Sequence, residues 1–185
     1  MTRTTAAAAG VLCAIGVASA QGPTQRPPVP DVLQSYQPVT ADRLKKPEPQ
    51  NWLMIRGTYD GWGYSPLDQL TRANVAKLEP VWMMATGMDR GHEAAPLVNN
   101  GVMFVSTPGN QVIAVDVRTG LQLWRYRNPA PPDMINLHPT SRGVALSGDK
   151  VLFARAEAVL VALDVKTGRE VWSATVEDNR KGYYI

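Results

Sequence analysis

Cysteine is all but missing from this 185-residue chain: Cys13 is the only one. It lies inside an Ala-rich apolar stretch from Ala6 to Ala18. The remainder of the chain has no thiol, which excludes disulfides, thiolate–metal sites, haem attached through paired cysteines and cysteine nucleophiles. Histidine is almost as scarce, with His92 and His138 alone. Two imidazoles so far apart make a weak metal site, and each reads first as a hydrogen-bonded structural residue. Lys and Arg are scattered without a run, and the formal net charge is only +3, so the footprint of a nucleic-acid binder is lacking. Long apolar runs are lacking too. The stretch from Ala6 to Ala18 is broken by small residues and falls short of the roughly 20 that a membrane-spanning helix needs.

That stretch has another reading. Arg3 precedes it and Ala18-Ser19-Ala20 follows as a small-x-small cleavage site, the pattern of a secretory signal peptide over residues 1–20, with a retained anchor as the alternative. Cleavage would start the mature chain near Gln21, with no membrane span left and a periplasmic location. Residues 21–50 are rich in proline, including Pro27-Pro28-Val29-Pro30 and Pro47-Glu48-Pro49. Proline cannot donate to a ladder, so this segment reads as a linker or an extended arm laid over a domain. Regular structure is expected from about Trp52, in a domain covering residues 51–185.

Within that domain the sequence repeats itself. Val112-Ile113-Ala114-Val115-Asp116-Val117-Arg118-Thr119-Gly120, with Trp124 after it, returns as Leu160-Val161-Ala162-Leu163-Asp164-Val165-Lys166-Thr167-Gly168 and Trp172, a shift of 48 residues (Asp116 to Asp164). Such a period marks four-stranded propeller blades. The apolar residues before each Asp suit a buried strand; Asp and Thr oxygens can hold nearby amides in a turn, and Gly takes positive φ. A Trp at a fixed offset after the turn can pack between neighbouring sheets. Strands are expected at Gly101–Ser106 and Lys150–Arg155, each after a turn signal. Val81-Trp82 reads as the outer end of an earlier blade, Leu67–Leu78 as a short helix or loop, and Tyr183-Tyr184 as the start of a further blade. The fold class is therefore all-β, a β-propeller of four-stranded blades with Trp82, Trp124 and Trp172 as docking residues. Two to three blades fit, fewer than the four to eight of a closed propeller, so the chain is expected to be part of a longer product.

The segments around the repeat resemble the pyrroloquinoline quinone (PQQ) dependent alcohol dehydrogenases, secreted quinoproteins that include methanol and ethanol dehydrogenases. The residues carrying the resemblance are Arg56–Leu67, Gly91-His92-Glu93-Ala94-Ala95-Pro96, Thr107–Gln111, His138-Pro139-Thr140-Ser141-Arg142-Gly143-Val144 and Lys181-Gly182-Tyr183-Tyr184. The resemblance implies an eight-bladed propeller that holds PQQ beside a Ca²⁺ or lanthanide ion. It implies oxidation of a small primary alcohol to an aldehyde, an Asp as general base, and electron transfer to a cytochrome c. Carried over by position, Glu93 corresponds to an early glutamate that hydrogen-bonds the cofactor, and Arg142 to the arginine that pairs with it. Many members place two adjacent cysteines before that arginine; Asn136 and Leu137 stand there in this chain. The family's metal ligands, catalytic aspartate and tryptophan floor map beyond Ile185, so this chain by itself is expected to be inactive. Without the resemblance, Glu93 and Arg142 would be ordinary solvated charges. Propellers with similar docking repeats also serve as outer-membrane scaffolds that bind proteins without a cofactor, which is the alternative function.

Overall fold

A computed structural model describes residues 28–134 and 138–183. The leader over residues 1–20, positions Asn136 and Leu137, and Tyr184 lie outside these described residues. Eight strands form two antiparallel four-stranded meanders. The first contains β1 (Leu97–Asn99), β2 (Val102–Thr107), β3 (Gln111–Asp116) and β4 (Gln122–Arg127); the second contains β5 (Val144–Ser147), β6 (Lys150–Arg155), β7 (Val159–Asp164) and β8 (Glu170–Thr175). Each is a blade of the expected kind, with strands paired in chain order.

The repeat folds the same way in both. Asp116 Oδ1 accepts from the amides of Arg118 and Thr119 at 2.8 and 3.1 Å, and Asp164 Oδ1 from those of Lys166 and Thr167 at 3.2 and 2.8 Å. The turn ends at Gly120 (φ 72°) or Gly168 (φ 66°), whose N–H returns to the Asp carbonyl at 2.8 Å in each case. The β3–β4 register then shifts between Ala114 and Val115, and the β7–β8 register between Ala162 and Leu163. A bulge of this sort re-aims the side chains that follow it, here Trp124 and Trp172.

Trp124 bridges the blades. Its indole N–H donates to the Val165 carbonyl of the second blade's turn at 2.8 Å, and its ring lies on Gly168, where any Cβ would come within 2.5 Å of it. Trp82 does the same one step earlier, donating to Val117 at 2.8 Å and lying on Gly120. Its own segment forms no strand, which corrects the expectation of a blade edge at Val81-Trp82. Residues 81–86 alternate exposed and half-buried positions without a ladder partner among the described residues. Trp172 differs from both: its side chain is 42% exposed, with no following turn to cover it among the described residues. The stretch from Leu67 to Leu78 holds one 3₁₀ turn at Val75–Lys77.

The arm is more regular than its prolines suggest. Regular structure begins at α1 (Asp31–Gln34) and continues in α2 (Ala41–Lys45), well before Trp52. The prolines punctuate these turns: Pro30 is the N-cap of α1, and the Thr40 side chain caps α2 by accepting from the Arg43 amide. Leu33, Tyr36 and Val39 are buried in the same core as Phe104, Trp124, Val161 and Leu163. Val39 exchanges two 2.8 Å backbone bonds with Gly148, and Trp52 bridges to Val98. The arm thereby ties both blades together along one side. No helix among the described residues is long and apolar enough to cross a membrane.

Candidate functional site

Glu93 and Arg142 occupy equivalent places, each in the loop that leads into the first strand of its blade. The two loops run side by side. Ser141 N–H donates to the Gly91 carbonyl at 3.1 Å, and His92 and Ser141 form a parallel bridge. This brings the Arg142 guanidinium to 3.9 Å from the Glu93 carboxylate, with side chains 83% and 52% exposed. At that distance the contact is an ion pair and not a hydrogen bond. Exposed pairs of this kind contribute little to stability, about 0–1 kcal/mol. Both groups therefore keep their hydrogen-bonding capacity for something else.

The close approach depends on Gly91. Its φ is 75°, and a Cβ there would overlap the Pro139 carbonyl. Gly91→Ala is expected to destabilise the fold by about 2 kcal/mol or more, through strain and forced separation of the loops. Thermal unfolding checks this, and an unchanged melting temperature would contradict a tight crossing of the loops at Gly91.

Arg142 lines a cavity of about 420 Å³ together with Thr140, Ser141, His138, Phe153 and the hairpin residues around Asn110. That volume lies within the range of small-molecule sites, roughly 300–1,000 Å³. Of the segment Thr107–Gln111 singled out in the sequence, Thr107, Pro108, Gly109 and Asn110 supply one wall. Asn110 (φ 54°) accepts from the Ala156 amide at 2.8 Å and donates to Glu157 at 2.6 Å. Glu157 also pairs with Arg155 at 2.9 Å, with both side chains largely buried. These contacts lock the hairpin of the first blade onto that of the second, and nothing in the local sequence signals them. His138 lines the cavity, whereas His92 bonds Thr86 Oγ1 at 2.8 Å. Among the described residues, no three His, Cys, Asp or Glu side chains cluster as metal ligands.

Residues 52–173 match the family described as PQQ: Glucose/ethanol/alcohol dehydrogenase, beta-propeller domain. Quinoprotein alcohol dehydrogenase PedH of Pseudomonas putida is 41% identical over 146 residues, covering 77% of this chain and 24% of PedH. The 1-butanol dehydrogenase (quinone) of Thauera butanivorans is 39% identical over 126 residues, covering 65% of this chain and 20% of that protein. Among solved structures, a europium-containing methanol dehydrogenase aligns with a TM-score of 0.72 at 32% identity, over 78% of this chain and 26% of that one. The quinohemoprotein alcohol dehydrogenase of Comamonas testosteroni aligns with a TM-score of 0.69 at 33% identity, over 78% of this chain and 22% of that one. The chain thus spans about a quarter or less of the length of the curated relatives it matches. Since the repeat, the paired sheets and the sequence match all fall on the same stretch, this chain belongs to the β-propeller family of the PQQ-dependent alcohol dehydrogenases.

Proposed function

We propose that this chain is the N-terminal part of a periplasmic PQQ-dependent alcohol dehydrogenase that oxidises primary alcohols to aldehydes, and that Arg142 and Glu93 hold its cofactor. The observation that carries the reading is the ion pair between these two side chains, from the loops of separate blades, with Arg142 lining a cavity of about 420 Å³. The donor set suits the cofactor's chemistry. PQQ is a planar tricarboxylate and ortho-quinone, and a guanidinium fork can bind its carboxylate or quinone oxygens through two parallel bonds. Glu93 fits as the acceptor for a ring N–H, with the neighbouring arginine offsetting repulsion between its carboxylate and the anionic ligand. When bound, PQQ supplies a two-electron acceptor for alcohol oxidation. The residues of this chain bind it, orient its rim and wall off one side of the cavity.

On this reading the leader over residues 1–20 directs export. On the same reading the Ca²⁺ or lanthanide ligands, the catalytic aspartate and the route to a cytochrome c are supplied by the rest of the full-length protein, and these 185 residues by themselves are expected to turn over no alcohol. Arg142→Ala in the full-length protein is expected to raise the Kd for PQQ about 10- to 100-fold, the loss of charge-assisted bonds. Its side chain is 83% exposed, so the melting temperature of the apoprotein should barely move. Titration of tryptophan fluorescence with PQQ reads the first quantity and circular dichroism the second. Undiminished PQQ retention would remove Arg142 from the site.

A further inference from the structure

Ser141 links the two loops that carry Arg142 and Glu93. Its backbone N–H holds the Gly91 carbonyl at 3.1 Å, which sets the loop carrying Glu93, and Arg142 is the next residue along. Its hydroxyl donates to Ser106 Oγ at 2.7 Å. Ser106 lies in β2 of the first blade, opposite Val112 of β3, and is 1% exposed; Ser141 is 8% exposed. Breaking a buried hydroxyl pair of this kind leaves the Ser106 hydroxyl, 1% exposed, short of a partner.

The ion pair cannot do the same work. Arg142 and Glu93 are 3.9 Å apart and largely solvated, so neither fixes the other. A ladder strand of the first blade is the rigid reference within reach, and the Ser106–Ser141 bond is the side-chain link to it.

We propose that Ser106 is a positioning residue for the cofactor pair, acting through the Ser141 hydroxyl to hold Arg142 and Glu93 in register across the blade boundary. The proposal rests on the reading in which those two residues bind PQQ. It goes further by giving a role to a buried serine that touches neither of them.

The test uses the full-length apoprotein titrated with PQQ. Ser106→Ala and Ser141→Ala are each expected to raise the Kd about three- to tenfold, the scale of one lost buried hydrogen bond. The double variant should be no worse than either single one, because both remove the same bond. Ser141→Thr, which keeps the hydroxyl, should restore the parent Kd. Should Ser106→Ala fail to fold, Ser141→Ala reads the same bond from its more accessible side. Parent-like affinity in both Ala variants while Arg142→Ala binds weakly would overturn the proposal and leave the site reading intact. Additive losses, or a Ser141→Thr protein as weak as Ser141→Ala, would overturn it as well. Parent-like affinity in Arg142→Ala would overturn the site reading and this proposal together.

Discussion

Replacing Trp124 with Ala will lower the unfolding free energy by about 3–5 kcal/mol, the range for emptying a buried aromatic site. The indole is 8% exposed, and the Phe104 ring centroid lies 5.9 Å away at a tilt of 41°. Truncation removes packing on both blades at once. It also takes away the 2.8 Å bond to the Val165 carbonyl, leaving that acceptor short of a partner in a dry site. The same change at Trp172, whose indole is 42% exposed, should cost less than about 1 kcal/mol in this chain. Denaturant unfolding followed by far-ultraviolet circular dichroism separates the two. Equal losses would mean that the tryptophans stabilise their own sheets and not the boundary between them. Gly168 is the receiving surface: φ is 66° and a Cβ would sit 2.5 Å from the Trp124 ring, so no larger residue can replace it without pushing the indole out.

Arg43→Ala will be nearly as damaging, at about 3 kcal/mol, because it leaves the half-buried Glu48 carboxylate and the buried Asn99 amide oxygen without their arginine. Arg43 makes five hydrogen bonds, two to Glu48 at 2.8 and 2.9 Å, one to Asn99 at 2.8 Å and one each to the Gln37 and Pro38 carbonyls at 3.0 Å. Asn99 is fully buried in β1, so this one guanidinium clamps the arm to the first blade. Asn51 adds a 2.9 Å bond to the same carboxylate.

The arginine, and after it Asn51, hold the Glu48 carboxyl down at about 2 against its ordinary 4.5. A carboxyl with a lowered folded-state pKa stabilises fully above its unfolded value and loses that contribution as pH falls towards the folded one. The parent's advantage over Arg43→Ala should therefore be constant above pH 4.5 and shrink between pH 4.5 and 2. The Glu48 side chain is 34% exposed, so solvent screening limits this pH-dependent part to about 1–2 kcal/mol. Melting temperatures of both proteins across that range check the sign. A gap that widens on acidification would show that Glu48 is not the group held by Arg43.

Much of this architecture is written locally. Asp116, Thr119 and Gly120 fold their turn through bonds spanning two to four residues, so the turn is legible wherever those residue types recur, as they do at Asp164, Thr167 and Gly168. Short apolar runs that follow a turn signal, Val102–Val105 and Val151–Ala154, define β2 and β6 for the same reason. The arm reads less well because its order comes from a distance. Four- and five-residue helices have little stability of their own, and α1 and α2 persist because Leu33 and Tyr36 are buried near Phe104 and because Arg43 reaches Asn99.

The site divides along the same line. Arg142 and Glu93 stood out because their flanking residues resemble a known family, and the structure brings them together from positions 49 residues apart (Glu93 to Arg142). Gly91, Asn110 and Ser141 fall within segments that resemble the family, but the Gly91 crossing, the Asn110–Glu157 contact and the Ser106–Ser141 bond carried no signal, since a serine or an asparagine looks the same whether or not a partner waits on the next blade. The sequence by itself determined the blade repeat, its turns, its tryptophans and the family. Only the tertiary structure decided which tryptophan is buried, which glycine lets two loops cross and which serines pair across the blade boundary, because each depends on how one sheet is set against its neighbour and no local pattern encodes that placement.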